Sequence, residues 1–308
     1  MTELHVVFGT GPLGRYTAVS LLEMGHTVRL INRSGQMADA PAGADIIASD
    51  AYDVAKNREM TRGATAVYQC TQPPYSEWVE KFPPLQRAIL DGAAANGAKL
   101  VVGDNLYMYG RFTGPLREDS PINPHTKKGK VRAAMAQEVL DAHASGKIRA
   151  AIGRASDFFG PYDTALTDYA IRPAVQGKPI NLLGKKDQPH TFTYVKDFGR
   201  LLATLGTREE ALCQVWFTPS NPPITQAEFA RLIEAALGKP VKSRPAGSGM
   251  MRLLGLFNKE MAETVEMMYQ WTAPFVVNTA KAETSFGLRA TPLASAMAET
   301  VVWCAKQP

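Results

Sequence analysis

The fold is decided near the start of the chain by the stretch LHVVFGTGPLG, residues 4–14. Leu4–Phe8 is predicted as a buried strand, and the proline after the second glycine is typical of the first turn of a helix. Between a strand and a helix, the first glycine allows a tight turn, the second lets the backbone approach a pyrophosphate, and the third lets helix and strand pack closely. The phosphate then binds free N–H groups at the positive end of the helix. The motif predicts a dinucleotide site formed by Gly9, Thr10, Gly11, Pro12, Leu13 and Gly14.

The end of the second predicted strand, Val28–Ile31, indicates which nicotinamide coenzyme this site prefers. Proteins that bind NAD place Asp or Glu there to hydrogen-bond the ribose hydroxyls, whereas proteins that bind NADP place Arg there to meet the 2′-phosphate. This chain has Asn32, Arg33 and Ser34 at that point, so a carboxylate is absent and a guanidinium is present. We predict a preference for NADP(H), with NAD(H) as the second candidate. The alternative is that Arg33 is a solvated loop residue.

Strands and helices alternate through the first half of the chain. Further strands are predicted at Ala44–Ala48, Ala66–Cys70, Lys99–Val102 and Arg149–Gly153, and helices at Pro12–Met24, Leu85–Asn96 and Val131–Ala144. Such alternation implies parallel pairing through right-handed crossovers. The predicted fold class is therefore α/β, a Rossmann-type doubly wound parallel sheet. Residues 1–157 would form the dinucleotide-binding core, with contributions from residues 191–220, and residues 158–308 a smaller substrate-binding region.

The composition excludes several classes of protein. The net charge of +5 (34 basic minus 29 acidic residues) is spread along the chain apart from one cluster, so it does not favour a nucleic-acid binder. That cluster consists of Lys127, Lys128, Lys130 and Arg132. The spacing of the cysteines predicts no disulfide framework, and that of the cysteines and histidines no metal site. Neither a membrane span nor a signal peptide is predicted, and we expect a cytoplasmic protein that binds a small molecule.

Two segments of the second half are predicted as helices. Thr225 and Glu228 form a capping-box pattern that opens a helix ending at Leu237. Residues 250–270 are rich in methionine and glutamate and are predicted as an amphipathic helix. Its methionines are interpreted as core or pocket lining; they are Met250, Met251, Met261, Met267 and Met268.

Several short segments follow the glycine motif in a fixed order. They are Ser49–Asp53, Tyr68–Pro73, Asp104–Gly110, Glu118–Pro121, Arg154–Pro161, Gly177–Ile180, Phe192–Asp197 and the stretch from Phe286 to Trp303. In this order they resemble the extended short-chain dehydrogenase/reductase family, which includes nucleotide-sugar epimerases and dehydratases, over nearly the whole chain. The resemblance implies that Asp50 and its neighbour Ala51 meet the adenine and that Arg154 lines the nicotinamide end. It places three more residues beside the cofactor: Cys70, Thr71 and Gln72.

The catalytic residues depart from that family's pattern. The family uses Tyr-x-x-x-Lys with a Ser or Thr: the Tyr relays a proton, and the Lys lowers its pKa and holds the nicotinamide ribose. Here Lys128 stands at the Tyr position, Arg132 at the Lys position and Asn105 at the Ser/Thr position, as in atypical members. Other groups predicted to replace them are the phenols of Tyr107 and Tyr109 and, as bases, Asp104 and Asp157.

Each replacement has a chemical use and a plain alternative. Lys128 can stabilise a developing alkoxide, Arg132 can bind ribose hydroxyls, and Asn105 can donate to a substrate oxygen. Alternatively, the basic cluster is a solvated face at a helix start, and the tyrosines are packing residues with satisfied hydroxyls.

Two functions follow from these observations. The first is an NADP(H)-dependent oxidoreductase or epimerase-like enzyme of the atypical type, acting on a small polar carbonyl or hydroxyl compound such as a sugar. The second is a non-catalytic NADP(H)-binding sensor. The retained substrate-side segments favour the enzyme. Members of the family that the chain resembles often dimerise through a four-helix contact. Here that contact would include the helices Leu85–Asn96 and Val131–Ala144, so a homodimer is one expectation and a monomer is the alternative.

Overall fold

One parallel sheet forms the centre of the protein. The structure, a computed structural model, describes residues 2–162, 164–247 and 263–307. In these ranges the sheet has seven strands: β1 (Leu4–Phe8), β2 (Thr27–Asn32), β3 (Ala44–Ala48), β4 (Ala64–Gln69), β5 (Lys99–Asp104), β6 (Ala150–Arg154) and β7 (Val215–Phe217). Their order is β7-β6-β5-β4-β1-β2-β3, and all neighbours pair in parallel.

Helices pack on both faces of the sheet and in a separate core beside it. They are α1 (Pro12–Glu23), α2 (Val54–Met60), α3 (Trp78–Ala94), α4 (Lys127–Ala144), α5 (Arg172–Val175), α6 (Val195–Thr207), α7 (Gln226–Leu237), α8 (Ala280–Phe286) and α9 (Leu293–Lys306). Successive residues of a strand point to opposite faces. Phe8 accordingly packs in the core under α3 and α4, and Val7 in the core under α1 and α6. The predicted α/β fold, a doubly wound parallel sheet, is confirmed.

The strand order reverses at the centre of the sheet, and this reversal positions the site. β1 and β4 are neighbours, and the chain continues from them in opposite directions across the sheet. In an open α/β sheet a crevice forms at such a point, beyond the carboxyl ends of the strands. The glycine turn after β1 and the segment after β4 lie side by side there, with the backbone N–H of Cys70 donating to the carbonyl of Phe8 at 2.9 Å.

Part of the chain after Phe158 builds a separate apolar core beside the sheet. Helices α5, α7 and α9 pack there around Phe159, Ile171, Phe229 and Met297. Short strands in this part of the chain form three two-stranded pairs: Phe158–Phe159 pairs with Thr193–Tyr194, Ile180–Leu183 with Ser243–Ala246, and Pro189–His190 with Ile224–Thr225. The predicted capping box of Thr225 and Glu228 opens α7.

Helix α3 begins at Trp78, seven residues before the predicted start. Pro83 and Pro84 lie inside this helix, although proline removes backbone donors and disfavours helix in the residue before it. The helix tolerates them because Val79 and Glu80, whose carbonyls would accept those missing bonds, are exposed to solvent. Burial of the apolar face that begins at Trp78 stabilises the additional turns.

Most of the predicted methionine-rich helix lies outside the described residues, including Met250, Met251 and Met261. Met267 and Met268 are described and buried, as expected of core or pocket residues. No helix in the described ranges combines the length and apolar character needed to cross a bilayer.

Candidate active site

The glycine turn has the geometry that the motif predicts. Gly9 has φ +110°, and a Cβ there would lie 2.8 Å from the backbone of Cys70. A Cβ on Gly14 would lie 1.9 Å from the carbonyl oxygen of Gly9. Gly11 caps α1, is exposed, and would present a Cβ to open space. Two glycines are thus required by packing, while Gly11 leaves the helix end open to a ligand.

This difference predicts opposite results for two alanine substitutions. Gly14→Ala should destabilise the protein by about 3 kcal/mol, because its methyl group overlaps backbone that cannot move aside. Gly11→Ala should change the free energy of unfolding by less than about 0.5 kcal/mol and weaken coenzyme binding about tenfold or more. Urea unfolding and coenzyme titration of both variants measure this. Unchanged coenzyme affinity in Gly11→Ala would remove the turn from the binding site.

Asn32 organises the loop after β2. Its Oδ1 accepts from the N–H groups of Ser34 (3.1 Å) and Gly35 (2.7 Å), and its Nδ2 donates to Oγ1 of Thr10 at 3.0 Å. The side chain therefore ties the loop to the glycine turn. Arg33 is exposed and makes no hydrogen bond or ion pair with the residues that the structure describes. A free guanidinium thus lies one residue from the anchor of this loop.

Arg15 lies in α1 close to the glycine turn, and the sequence did not single it out. It is buried, donates to the carbonyls of Ala38 and Asp39, and stacks 3.9 Å from the ring centre of Tyr162. A positive charge near the start of a helix opposes the helix dipole. This unfavourable position was the feature of the sequence that could have indicated that Arg15 has a specific partner. A hollow of about 380 Å³ opens beside it, lined by Thr10, Gly11, Pro12, Arg15, Met37, Ala38, Asp39, Tyr162, Trp303 and Gln307.

The predicted adenine-side and β4-side residues line the crevice differently. Asp50 is exposed, and its Oδ1 accepts from the N–H of Tyr52 at 3.0 Å, so the other oxygen is free for a ligand. The backbone of Cys70 and Thr71 lies against Gly9. The Cys70 sulfur faces Oγ1 of Thr17 at 3.7 Å, and burial raises the pKa of its thiol to about 12. Cys70 therefore contributes backbone and packing rather than a reactive thiolate.

Three buried charges meet where the ends of β5 and β6 face α4: Asp104 ends β5, Arg154 ends β6 and Arg132 lies in α4. Asp104 accepts from Nε of Arg132 at 2.8 Å and from Nε of Arg154 at 2.9 Å, and all three side chains are at least 97% buried. Arg154 also donates to the Tyr109 hydroxyl at 2.6 Å. Asp104 and Tyr109 are thus held by arginines in the interior. This geometry counts against Asp104 as a base, because each of its oxygens already accepts from an arginine.

Arg132 retains one unused group. Its Nη1 is buried and has no hydrogen-bond partner among the described residues. A buried donor without a partner is costly, so a ligand oxygen there would stabilise the site. The residue at the family's lysine position therefore keeps a donor for a ribose or substrate hydroxyl.

Lys128 is buried rather than solvated. Its Nζ forms ion pairs with Glu263 and, at 3.1 Å, with Glu266, and lies 4.5 Å from the ring centre of Tyr75. Glu266 also accepts from the backbone N–H groups of Lys127 (2.9 Å) and Lys128 (3.3 Å) at the start of α4. A carboxylate at a helix N-terminus is favourable and offsets the basic residues there. The solvated-face alternative is wrong for Lys128 and Arg132, whereas Lys127 and Lys130 are exposed.

Tyrosines and one amide extend the site beyond β5. The hydroxyls of Tyr107 and Tyr75 lie 3.5 Å apart, and burial raises the pKa of both phenols. Asn105 accepts from the N–H of Tyr107 at 3.1 Å, and its Nδ2 makes no hydrogen bond with the described residues. The Asn105 amide and the phenols are therefore neutral donors for a substrate oxygen.

Asp157 is held by His190, which lies in the short strand Pro189–His190. Nε2 of His190 lies 2.9 Å from Oδ2 of Asp157, and the imidazole is 2% exposed. The ring stacks on Trp271 with centroids 4.1 Å apart and planes 3° from parallel. The Asp157 side chain is 23% exposed. The histidine thus fixes a carboxylate that remains reachable, and the negative charge of Asp157 adds to burial in raising the pKa of Tyr107.

Comparison with known proteins gives the family. The sequence matches the NAD dependent epimerase/dehydratase family over residues 6–213. The chain belongs to this family. The predicted resemblance is confirmed, and so is the prediction of an enzyme at the level of the family, whose members are NAD-dependent epimerases and dehydratases. No curated protein matches the sequence significantly.

Solved structures share the fold along the whole chain. UDP-glucuronic acid 4-epimerase from Bacillus cereus, in complex with UDP-glucuronic acid and NAD, is 16% identical with a TM-score of 0.79, covering 98% of this chain and 99% of that one. A putative epimerase from Burkholderia cenocepacia is 17% identical with a TM-score of 0.80, covering 99% of each chain. A dTDP-glucose 4,6-dehydratase from Streptomyces venezuelae is 16% identical with a TM-score of 0.79, covering 99% of this chain and 97% of that one.

Proposed function

We propose that this family member is an NADP(H)-dependent enzyme of the oxidoreductase or epimerase type, acting on a small polar carbonyl or hydroxyl compound such as a sugar. The observation that carries the coenzyme preference is Arg33, which is exposed and has no partner among the described residues, in the loop that Asn32 ties to the glycine turn. An ionic hydrogen bond between a guanidinium and a phosphate is strong. NAD lacks the 2′-phosphate and would leave this charge unused.

The chain offers donors at both ends of a dinucleotide. The open N-terminus of α1 at Gly11 suits the pyrophosphate, and the orphaned Nη1 of Arg132 suits a ribose hydroxyl of the nicotinamide half. When bound, the nicotinamide would supply or accept the hydride. The remaining task of the protein is to move a proton at the substrate oxygen.

Asp157 is our candidate for that proton transfer in place of the missing tyrosine. Its carboxylate is partly exposed and oriented by His190, so it can accept the proton of a substrate hydroxyl and return it in the reverse direction. Tyr107 and the Nδ2 of Asn105 would donate hydrogen bonds to the same oxygen. Lys128 would act through its charge, reduced by Glu263 and Glu266, rather than as the proton donor.

The substrate class rests on polarity and on the relatives. The site combines amide, phenol, carboxylate and guanidinium groups, which suits a ligand with several hydroxyls. The Bacillus cereus epimerase is in complex with a sugar nucleotide, which supports a sugar-like substrate for this chain.

The coenzyme preference is tested by replacing Arg33. Arg33→Ala should weaken NADP(H) binding about tenfold to a hundredfold, since one hydrogen bond to a charged group is lost, and leave NAD(H) binding nearly unchanged. Arg62→Ala, an exposed arginine in the turn between α2 and β4, is the matched control and should affect neither coenzyme. Titration with both reduced coenzymes measures the difference. Equal losses for the two would remove Arg33 from the phosphate site.

A non-catalytic NADP(H) sensor is the second candidate. It is favoured by the ion pairs of Lys128 with two glutamates and of Arg132 with Asp104, which already engage the cations at the family's Tyr and Lys positions. A panel of sugars, ketones and aldehydes, followed by NADPH absorbance, separates the two. No change in NADPH absorbance with any compound of the panel, together with tight NADPH binding, supports the sensor. Turnover of one compound supports the enzyme.

A further inference from the structure

A cluster of two histidines and one glutamate lies at the amino ends of β1 and β2, at the opposite end of the strands from the glycine turn. Glu3 precedes β1, His5 is its second residue, and His26 lies in the turn before β2. Parallel pairing of Leu4 with Thr27 brings Glu3 next to His26, and the N–H of Thr27 donates to the Glu3 carbonyl at 3.0 Å. The backbone therefore fixes the three residues side by side.

The separations between their side-chain atoms are those of metal ligands rather than hydrogen bonds. Oε2 of Glu3 lies 3.6 Å from Nε2 of His5 and 3.8 Å from Nδ1 of His26. One donor atom from each residue can be chosen so that all lie within 4.8 Å of one another. A tetrahedral ion with bonds of about 2.0–2.2 Å separates its ligands by about 3.3–3.6 Å. Small rotations of the exposed Glu3 and the half-buried His26 would close the remaining gap.

His5 supplies a second, independent observation. Its imidazole is 0% exposed, and its Nε2 is buried without a hydrogen-bond partner among the described residues. Its Nδ1 lies 2.8 Å from the hydroxyl of the buried Tyr68, which fixes the orientation of the ring. A ligating histidine characteristically hydrogen-bonds through its other nitrogen in this way. The unpartnered nitrogen points into the cluster.

The surrounding charges allow a cation. Lys99 is a nearby positive charge. Its repulsion of a bound cation would be limited, because the Lys99 Nζ forms an ion pair with Glu209 at 2.7 Å. Glu3 supplies the negative ligand.

We propose that Glu3, His5 and His26 bind one divalent transition-metal ion, such as Zn²⁺, with a fourth position open to solvent. Two imidazoles and a carboxylate are ligands that Zn²⁺ accepts. The ion would fasten the start of the chain to the turn between α1 and β2. The spacing in sequence hid this site, because its residues come together through strand pairing.

The test is Zn²⁺ titration of chelator-treated full-length protein by calorimetry, with Co²⁺ absorption as a probe of tetrahedral geometry. We expect one equivalent to bind, and binding to weaken about tenfold or more in His26→Ala and in Glu3→Gln. Both residues reach solvent, so these variants should fold. His125→Ala, which removes an exposed histidine elsewhere, is the control and should bind Zn²⁺ as the unmodified protein does.

Coenzyme binding provides a separate readout, because the cluster lies at the amino ends of the strands and the proposed coenzyme site at their carboxyl ends. It should be unchanged in both ligand variants, which would show that they are folded. The proposal is overturned if the unmodified protein binds no Zn²⁺, or if folded His26→Ala and Glu3→Gln bind it with unchanged affinity.

Discussion

Replacing Asp104 with alanine is expected to lower the free energy of unfolding by about 3–5 kcal/mol, the usual cost of removing one partner from a buried ion pair. Asp104 lies between the guanidinium groups of Arg132 and Arg154 and forms an ion pair with each. Its loss would leave two positive charges in the interior. Arg154 would keep the Tyr109 hydroxyl, which cannot neutralise it.

Urea unfolding of Asp104→Ala measures this cost. The control is Asp119→Ala, which breaks an ion pair with Arg117 at 3.4 Å between side chains 80% and 64% exposed. Such a surface pair contributes about 0–1 kcal/mol. Equal stabilities of the two variants would mean that water reaches the Asp104 cluster. Asp104→Asn, which keeps an acceptor oxygen, should lie between them.

Replacing Asp157 with asparagine is expected to lower turnover by about a hundredfold to ten-thousandfold, the usual contribution of a general base. Asparagine keeps the shape of the side chain and a hydrogen-bonding group for His190 but cannot accept the proton. Coenzyme binding should be unchanged, because we propose that other residues bind the phosphates and the ribose. The measurement is kcat with the best substrate of the panel, together with NADPH affinity.

Asp187→Asn is the control for this substitution, because Asp187 is exposed and its side chain bonds only the neighbouring Gln188 among the described residues. An unchanged kcat in Asp157→Asn would exclude Asp157 as the base while leaving the enzyme proposal intact. Absence of turnover in the unmodified protein would instead count against the enzyme itself. The two failures are therefore distinguishable.

The sequence by itself determined the parts of this protein that depend on neighbouring residues. The strand Leu4–Phe8, the glycine turn and the start of α1 are contiguous, so their spacing alone fixes the turn. The capping box of α7 is equally local. The parallel sheet followed from the alternation of strands and helices, since few connections allow that order.

Only the tertiary structure decided the state of the charged side chains. Lys128 meets Glu263 and Glu266 across more than 130 residues, and Asp157 meets His190 across 33. No local pattern encodes such pairs, because each depends on how two distant segments pack. Burial is a property of the folded chain. It brings Lys128 into ion pairs with two glutamates and places His190 where it orients the carboxylate of Asp157. For that reason the sequence named the candidate groups, and the fold decided which of them remain free to act.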